Sequence, residues 1–384
     1  MFSSSFKKQI KDKMSKWQLF HATDFQSLMY PCFIVCRILG AFPYKINTST
    51  IETSKLYYIL STFLICVFCI SELLMLHGIF ISKTVSFGDV TARLACTFFI
   101  VFGGFTVIIT YILSGPRKRV LQAMISLRLS SESYQMLARW IHVKDILITF
   151  FIIIQESLFY LKNPSPGVSM FIFSIYISLL TFYMDMQYMN CIWVLKTCFK
   201  KINDNLVHVQ RIVVNDKQYA SRLIYHTQKN QFLLIELKSL KKQHLIVSDT
   251  VQMLNVIFSL QLLATTTLTF TEITFHIYSH VLQWQDGLSI ILDETYDVFF
   301  LTAVVYEFFK LALIVWSCES NKNQAFVIGT TVHDVLNCTS DKQIKEEVTK
   351  INLICLYFMK NYIFLLIQYI YMYILNLLLY NNIA

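Results

Sequence analysis

Long apolar runs alternate along this chain with short polar stretches that are mostly basic. Seven runs stand out: about Leu56 to Phe80, Leu94 to Leu113, Ile146 to Leu161, Val168 to Leu195, Val251 to Val281, Val298 to Trp316 and Ile351 to Tyr380. A hydrocarbon core of ~30 Å takes about 20 helical residues at ~1.5 Å each. Each run can cover that depth as a helix, the third being the shortest. The pattern predicts an all-α membrane protein, a seven-transmembrane helical bundle. An earlier apolar stretch, Tyr30 to Phe42, is too short to span and ends in Gly40 and Pro43. It reads as a short helix lying at the interface or packed on the bundle. The connection 196–250 is long and helical in pattern, with apolar Ile202, Leu206, Val209 and Ile212. Helices projecting past the membrane there would set this face against neighbouring helices or subunits.

Composition agrees with the pattern. Hydrophobic residues make up 55% of the chain and charged residues only 15%, against about 25% charged in an average soluble domain. The net charge of +9 does not point to nucleic acid, because the basic residues sit between apolar runs and no nucleic-acid-binding motif accompanies them. Of the 33 Lys and Arg residues, all but Lys83, Arg93, Lys162 and Lys310 fall in 1–55, 114–144, 196–250 or 317–360. The positive-inside rule puts those four segments in the cytoplasm. The N-terminus is then intracellular and, after seven spans, the C-terminus extracellular. The expected organisation is a cytoplasmic N-terminal segment with a short interfacial helix, 1–55, and a seven-transmembrane channel domain, 56–384. Residues 1–20 are lysine-rich without an apolar core, so they do not form a cleavable signal, and the first span acts as its own insertion signal. Both sequons, at Asn47 and Asn337, fall on the inner side.

Candidate chemistry is sparse. There is no P-loop, HExxH or GxSxG, and the nine histidines are scattered, so no catalytic residue, metal site or cofactor is expected. Cys66 and Cys69 lie one helical turn apart within a span, which suits packing better than metal binding. Charges inside spans are informative because burying them is costly. Glu72, Glu156, Asp185, Glu272, Glu307 and Lys310 qualify. Glu307 and Lys310, three apart, share a helix face and should pair, either to orient the sixth span or to serve a ligand. Glu156, near the outer end of the third span, is expected to snorkel to the interface.

The outer halves of several spans read as a pocket wall for a small amphipathic ligand. The fifth offers Thr265, Thr266, Thr267, Thr269, Thr271 and Glu272; the fourth Phe171, Phe173 and Tyr176; the sixth Tyr296, Phe300 and Tyr306. The alternative is that these threonines bond within and between helices and the aromatics fill the bundle. In the last span, Asn361, Leu365, Gln368, Met372, Leu375 and Asn376 form one stripe. Amides on an otherwise apolar helix need either a wet lumen or a helix partner.

The stretch Tyr362-Ile363-Phe364-Leu365-Leu366-Ile367-Gln368-Tyr369 resembles the signature of insect gustatory receptors: Thr-Tyr, five hydrophobic residues, then Gln-Phe. Here Asn361 stands for the Thr and Tyr369 for the Phe. The segments Ile38-Leu39-Gly40-Ala41-Phe42-Pro43 and Leu254-Asn255 also look like that family. The resemblance implies a chemosensory, ligand-gated, non-selective cation channel in the plasma membrane. It implies a tetramer, homomeric or with related receptors, surrounded by membrane lipid. Seventh helices would line its pore through Gln368, Asn361 and Met372. A small-molecule tastant would enter from outside among the second to sixth helices, with Tyr176, Thr267, Glu272, Tyr296, Phe300 and Tyr306 as candidate contacts. Sugar-sensing members carry Glu after the motif Tyr, whereas Ile363 stands here, so the implied ligand is not a sugar. The alternatives are an odorant receptor of the same superfamily and a seven-transmembrane G-protein-coupled receptor. The latter would place its N-terminus outside and carry Asp-Arg-Tyr or Asn-Pro-x-x-Tyr, neither of which occurs.

Overall fold

The computed structural model describes residues 20–47, 50–81, 90–127, 129–162, 167–216, 223–285, 294–339 and 341–357. Their order is α1 (Phe25–Ile38), β1 (Tyr44–Ile46), β2 (Ile51–Thr53), α2 (Lys55–Phe80), α3 (Val90–Ile112), α4 (Ser114–Ser126), α5 (Ser131–Lys162), α6 (Gly167–Asp216), α7 (Leu223–Gln285) and α8 (Glu294–Cys338). Residues 342–357 are also helical. Among the described residues the protein is all-α apart from the antiparallel β1–β2 pair, which sequence periodicity does not signal.

Five described helices are long and apolar enough to cross a membrane: those over Lys55–Phe80, Arg93–Ile112, Val168–Val214, Asn230–Tyr278 and Leu301–Cys338. The third expected span lies on α5, where Lys144, Asp145, Glu156 and Lys162 shorten the apolar stretch. Most of the seventh, including Asn361, Gln368 and Met372, lies outside the described residues. On α2, Ile59, Phe63, Ile70, Leu73 and Leu74 are exposed. In water this face would be a large apolar patch; against lipid it is in its preferred solvent. The helices α6, α7 and α8 have 50, 63 and 45 residues. At ~1.5 Å per residue each outruns a hydrocarbon core.

The chain divides into two compact units: one of residues 1–190 and 257–315, the other of 191–256 and 316–384. In the first unit, α1 packs on α4 and α5. A reciprocal capping box starts α1: the Ser27 N–H donates to Asp24 Oδ1 at 2.7 Å, and the Asp24 N–H donates to Ser27 Oγ at 3.1 Å. Phe25, Leu28, Met29, Cys32, Phe33 and Cys36 then recur at helical spacing and are buried. The helix packs on the bundle, as one of the two expected placements has it. His142 of α5 latches it. The His142 Nδ1 accepts from the Phe20 N–H at 3.3 Å, and Nε2 donates to the Leu28 carbonyl at 2.9 Å.

The second unit is a helical cluster with its own core. Ile202, Leu206, Val209 and Val213 of α6 are buried, as are Leu233, Leu237 and Leu240 of α7, Ile328, Val332 and Val335 of α8, and Ile344, Val348 and Ile351. The inward stripe on α6 thus ends on Val213, with Ile212 only half-buried. Polar bonds pin the helices: Trp193 Nε1 to Ser317 Oγ at 3.0 Å, Thr331 Oγ1 to Asn203 Oδ1 at 2.8 Å, and Lys241 to Glu347 at 2.5 Å.

Gly40 ends α1. Its φ is +76°, its N–H donates to the Arg37 carbonyl at 3.1 Å, and the Ala41 N–H donates to the Cys36 carbonyl at 2.7 Å. That is a Schellman closure, with glycine in the left-handed position. The Ser61 hydroxyl of α2 donates to the Gly40 carbonyl. A Cβ on Gly40 would also stand 3.2 Å from a Leu64 methyl. Gly40→Ala should therefore destabilise the protein by about 1–2 kcal/mol, read as a lower melting temperature of the detergent-purified chain. An unchanged melting temperature would show that the turn is not strained by a side chain.

Candidate functional site

Within the first unit, α5 through α8 bring five buried or half-buried ionisable groups together. Glu307 and Lys310 of α8, one helical turn apart, form an ion pair of 2.6 Å with both side chains only 6–7% exposed. The pairing expected from their spacing is thus present. Glu156 of α5, expected to snorkel, is half-buried and hydrogen-bonded to a facing helix. Ser174 and Ser178 of α6 each donate a hydroxyl to it, both at 2.6 Å. Two donors one turn apart on a facing helix solvate the carboxylate, so it has no need to reach water. Glu272 of α7 lies against Glu307, carboxyl to carboxyl. Asp185 of α6 is wholly buried, and neither of its oxygens accepts a hydrogen bond of good geometry. It lies within electrostatic reach of Lys310 and Glu307 and beside Thr265. That threonine hydroxyl is already donated to the Gln261 carbonyl at 3.0 Å.

The threonine-rich stretch of α7 sorts by face. Gln261, Thr265 and Thr269 are fully buried, and with Glu272 and His276 they recur every three or four residues. The Thr269 hydroxyl has no hydrogen-bond partner. Thr267 and Thr271 instead donate to their own helix, to the Leu263 carbonyl at 2.9 Å and the Thr267 carbonyl at 2.8 Å. Among the aromatic candidates, Tyr306 faces the cluster. Its ring is 5.3 Å from Lys310 Nζ and 5.6 Å from the Phe151 ring. Tyr176 donates its hydroxyl to the Leu39 carbonyl at 2.9 Å, and Phe68 stacks on Phe173 at 4.8 Å. Tyr296 and Phe300 belong to α8, but their side chains lie outside the described set. Among the described residues, no group of three or more His, Cys, Asp or Glu could hold a metal ion.

The 7tm Chemosensory receptor family matches residues 29–358. The chain belongs to this family. Its fold is similar to the structure of the insect olfactory receptor OR5 from Machilis hrabei, at a TM-score of 0.60 and 11% identity, over 86% of this chain and 89% of that one. No curated protein matches the chain. The membership fits a multi-pass membrane receptor of the ion-channel type rather than an enzyme.

Three further charges in this receptor, Lys144, Asp145 and Arg117, escaped the sequence reading. Lys144 pairs with Asp145 at 2.8 Å and donates to Asn190 Oδ1 at 3.1 Å, while Asn190 Nδ2 donates to Asp145 Oδ2 at 3.2 Å. The adjacent Lys-Asp at the start of an apolar run was the only signal. Arg117 of α4, counted among the solvated loop charges, is 1% exposed. Its Nη2 approaches Gln261 Oε1 at 3.4 Å, and its guanidinium lies 5.4 Å from the Phe258 ring centre. Burial lowers its pKa to about 10, so it stays charged at neutral pH.

Breaking a buried ion pair strands a charge, while removing both partners does not. Glu307→Gln or Lys310→Met alone should lower stability by about 3 kcal/mol, and the double change by less than either. Melting of the purified receptor and surface labelling would read this. Additive losses would show that the two residues act independently.

Proposed function

We propose that this receptor is a gustatory receptor: a ligand-gated, non-selective cation channel opened by an external small molecule other than a sugar. The observation that carries the reading is the chemosensory-family match over 29–358. The stretch Tyr362 to Gln368 favours taste, and Ile363 after the motif Tyr disfavours a sugar. The channel is a tetramer, homomeric or with related receptors, in the plasma membrane. The N-terminus is cytoplasmic and the C-terminus extracellular, as the distribution of Lys and Arg favours. The seventh helices surround the ion path with Gln368, Asn361 and Met372 on one stripe. A polar amide at an apolar constriction eases wetting. Glu272 and Tyr306, with Tyr176, Thr267, Tyr296 and Phe300, contribute to the ligand region. An odorant receptor of the same superfamily is the second reading, favoured by the likeness to OR5; at 11% identity that likeness speaks for the fold alone.

Whole-cell recording of the full chain against tastant and odorant panels tests the reading. Tastants should evoke currents, and Gln368→Ala should alter conductance or ion preference without reducing surface protein. Cysteine at 368, in a Cys355→Ser background, should react with a charged thiol reagent mainly in the open state. A tag at residue 1 should be inaccessible in intact cells. Currents indifferent to residue 368 would reject the pore assignment, and surface labelling of the N-terminal tag would reject the orientation.

A further inference from the structure

Three carboxyl groups, from Asp185, Glu272 and Glu307, lie within electrostatic reach of one ammonium group, that of Lys310, and a fourth, from Glu156, lies within reach of Glu272 and Glu307. Their partners are unequal. Glu156 has two serine hydroxyls, and Glu307 has the lysine. Asp185 has no donor of good geometry, and the Thr269 hydroxyl, one turn beyond Thr265 on α7, is likewise unspent; both residues are fully buried. An interior with more acid than base is relieved either by protons on the acids or by an added positive charge. The other titratable groups near Glu307 are His276 and Tyr306. Tyr306 and Phe151 supply an aromatic wall beside the acids. A carboxylate with free acceptor positions next to aromatic rings suits a charge-assisted N–H donor carried on an apolar body.

We infer that the α5–α8 cluster recognises a small protonated amine, whose ammonium group is taken by Asp185 and Glu272 and whose apolar part lies against Tyr306 and Phe151. This rests on the ligand-gated reading above and adds the charge of the ligand to it. A neutral isostere offers no counter-charge to Asp185, so the site discriminates by charge rather than by shape. Lys310 remains on Glu307 and keeps the acids from repelling one another while the site is empty.

The test uses matched pairs of an amine and its alcohol, such as phenethylamine and 2-phenylethanol, with the purified full-length receptor. A ligand that binds the folded form raises its melting temperature. At least one amine should bind about tenfold or more tightly than its alcohol, a factor within reach of one charge-assisted hydrogen bond. Asp185→Asn, which keeps the shape, should erase the difference, and Glu272→Gln on another helix should reduce it. If every alcohol stabilises as well as its amine, or if the advantage survives Asp185→Asn, the inferred charge class is wrong. The wild-type comparison decides this even if a variant folds poorly. Recording currents with the same compounds separates the two readings. Alcohol-evoked currents with no amine preference would overturn the amine inference and leave the channel standing. Amine binding that opens no current would overturn the channel reading and leave the ligand class standing.

Discussion

The acid cluster of the first unit depends on one ammonium group. Lys310 is 6% exposed, pairs with Glu307 at 2.6 Å and lies within electrostatic reach of Asp185 and Glu272. A charge buried among apolar helices is tolerated only when its partners replace the water it has lost. Lys310 does this for Glu307 directly, and its field moderates the repulsion among the remaining acids. The surrounding packing follows from that need. Serines stand on α6 where Glu156 must be solvated, and a buried threonine stripe faces inward on α7. Tyr306 lays its ring beside the ammonium.

The two ends of α1 show how local rules position this interior. The Asp24–Ser27 box begins the helix, and the Gly40 turn ends it. Between them the chain presents a stripe of Leu28, Cys32 and Cys36, and Cys32 Sγ lies 3.9 Å from the Tyr183 carbonyl. Tyr183 and Asp185 are two residues apart on α6. The carbonyl of Leu39 receives the Tyr176 hydroxyl further up the same helix. A short amphipathic helix that is too short to span therefore braces the membrane helix that carries Asp185. The His142 latch works from the other side, on α5.

Much of this was legible because it repeats at short range. Apolar length alone located the five described helices long enough to span. The three-residue spacing of Glu307 and Lys310 foretold their pair, and the amphipathic stripe at Ile202, Leu206 and Val209 foretold a packed helix beyond the fourth span. What was not legible depends on which helix stands opposite. The two hydroxyls that Glu156 accepts from were not foreseen, because Ser174 and Ser178 are distant from it in sequence. Thr267 was named as a contact, whereas only the helix face shows that Thr269 is buried. The β1–β2 pair has three residues per strand, too few for alternation to register. Arg117 looked like one of three loop cations, and only the packing of α4 near Gln261 and Phe258 reveals it as buried.

The buried charges fall into two kinds, and the distinction separates scaffold from site. The Lys144–Asp145–Asn190 triad is closed: the ammonium, a carboxylate and the amide each meet one another within 3.2 Å. Such a group binds α5 to α6 and has little left to offer a ligand. The Asp185 carboxylate is open, with both oxygens unspent in full burial. Leaving it so costs stability, and local packing does not require it, since an apolar side chain would fill the same place without that cost. Arg117, with Nε and Nη1 unspent, is open in the opposite sense. Gln261 of α7 touches that guanidinium through its side chain, and its own carbonyl receives the hydroxyl of Thr265 beside Asp185. Through Gln261 and Thr265, this turn of α7 therefore touches both the acid cluster and Arg117 on α4.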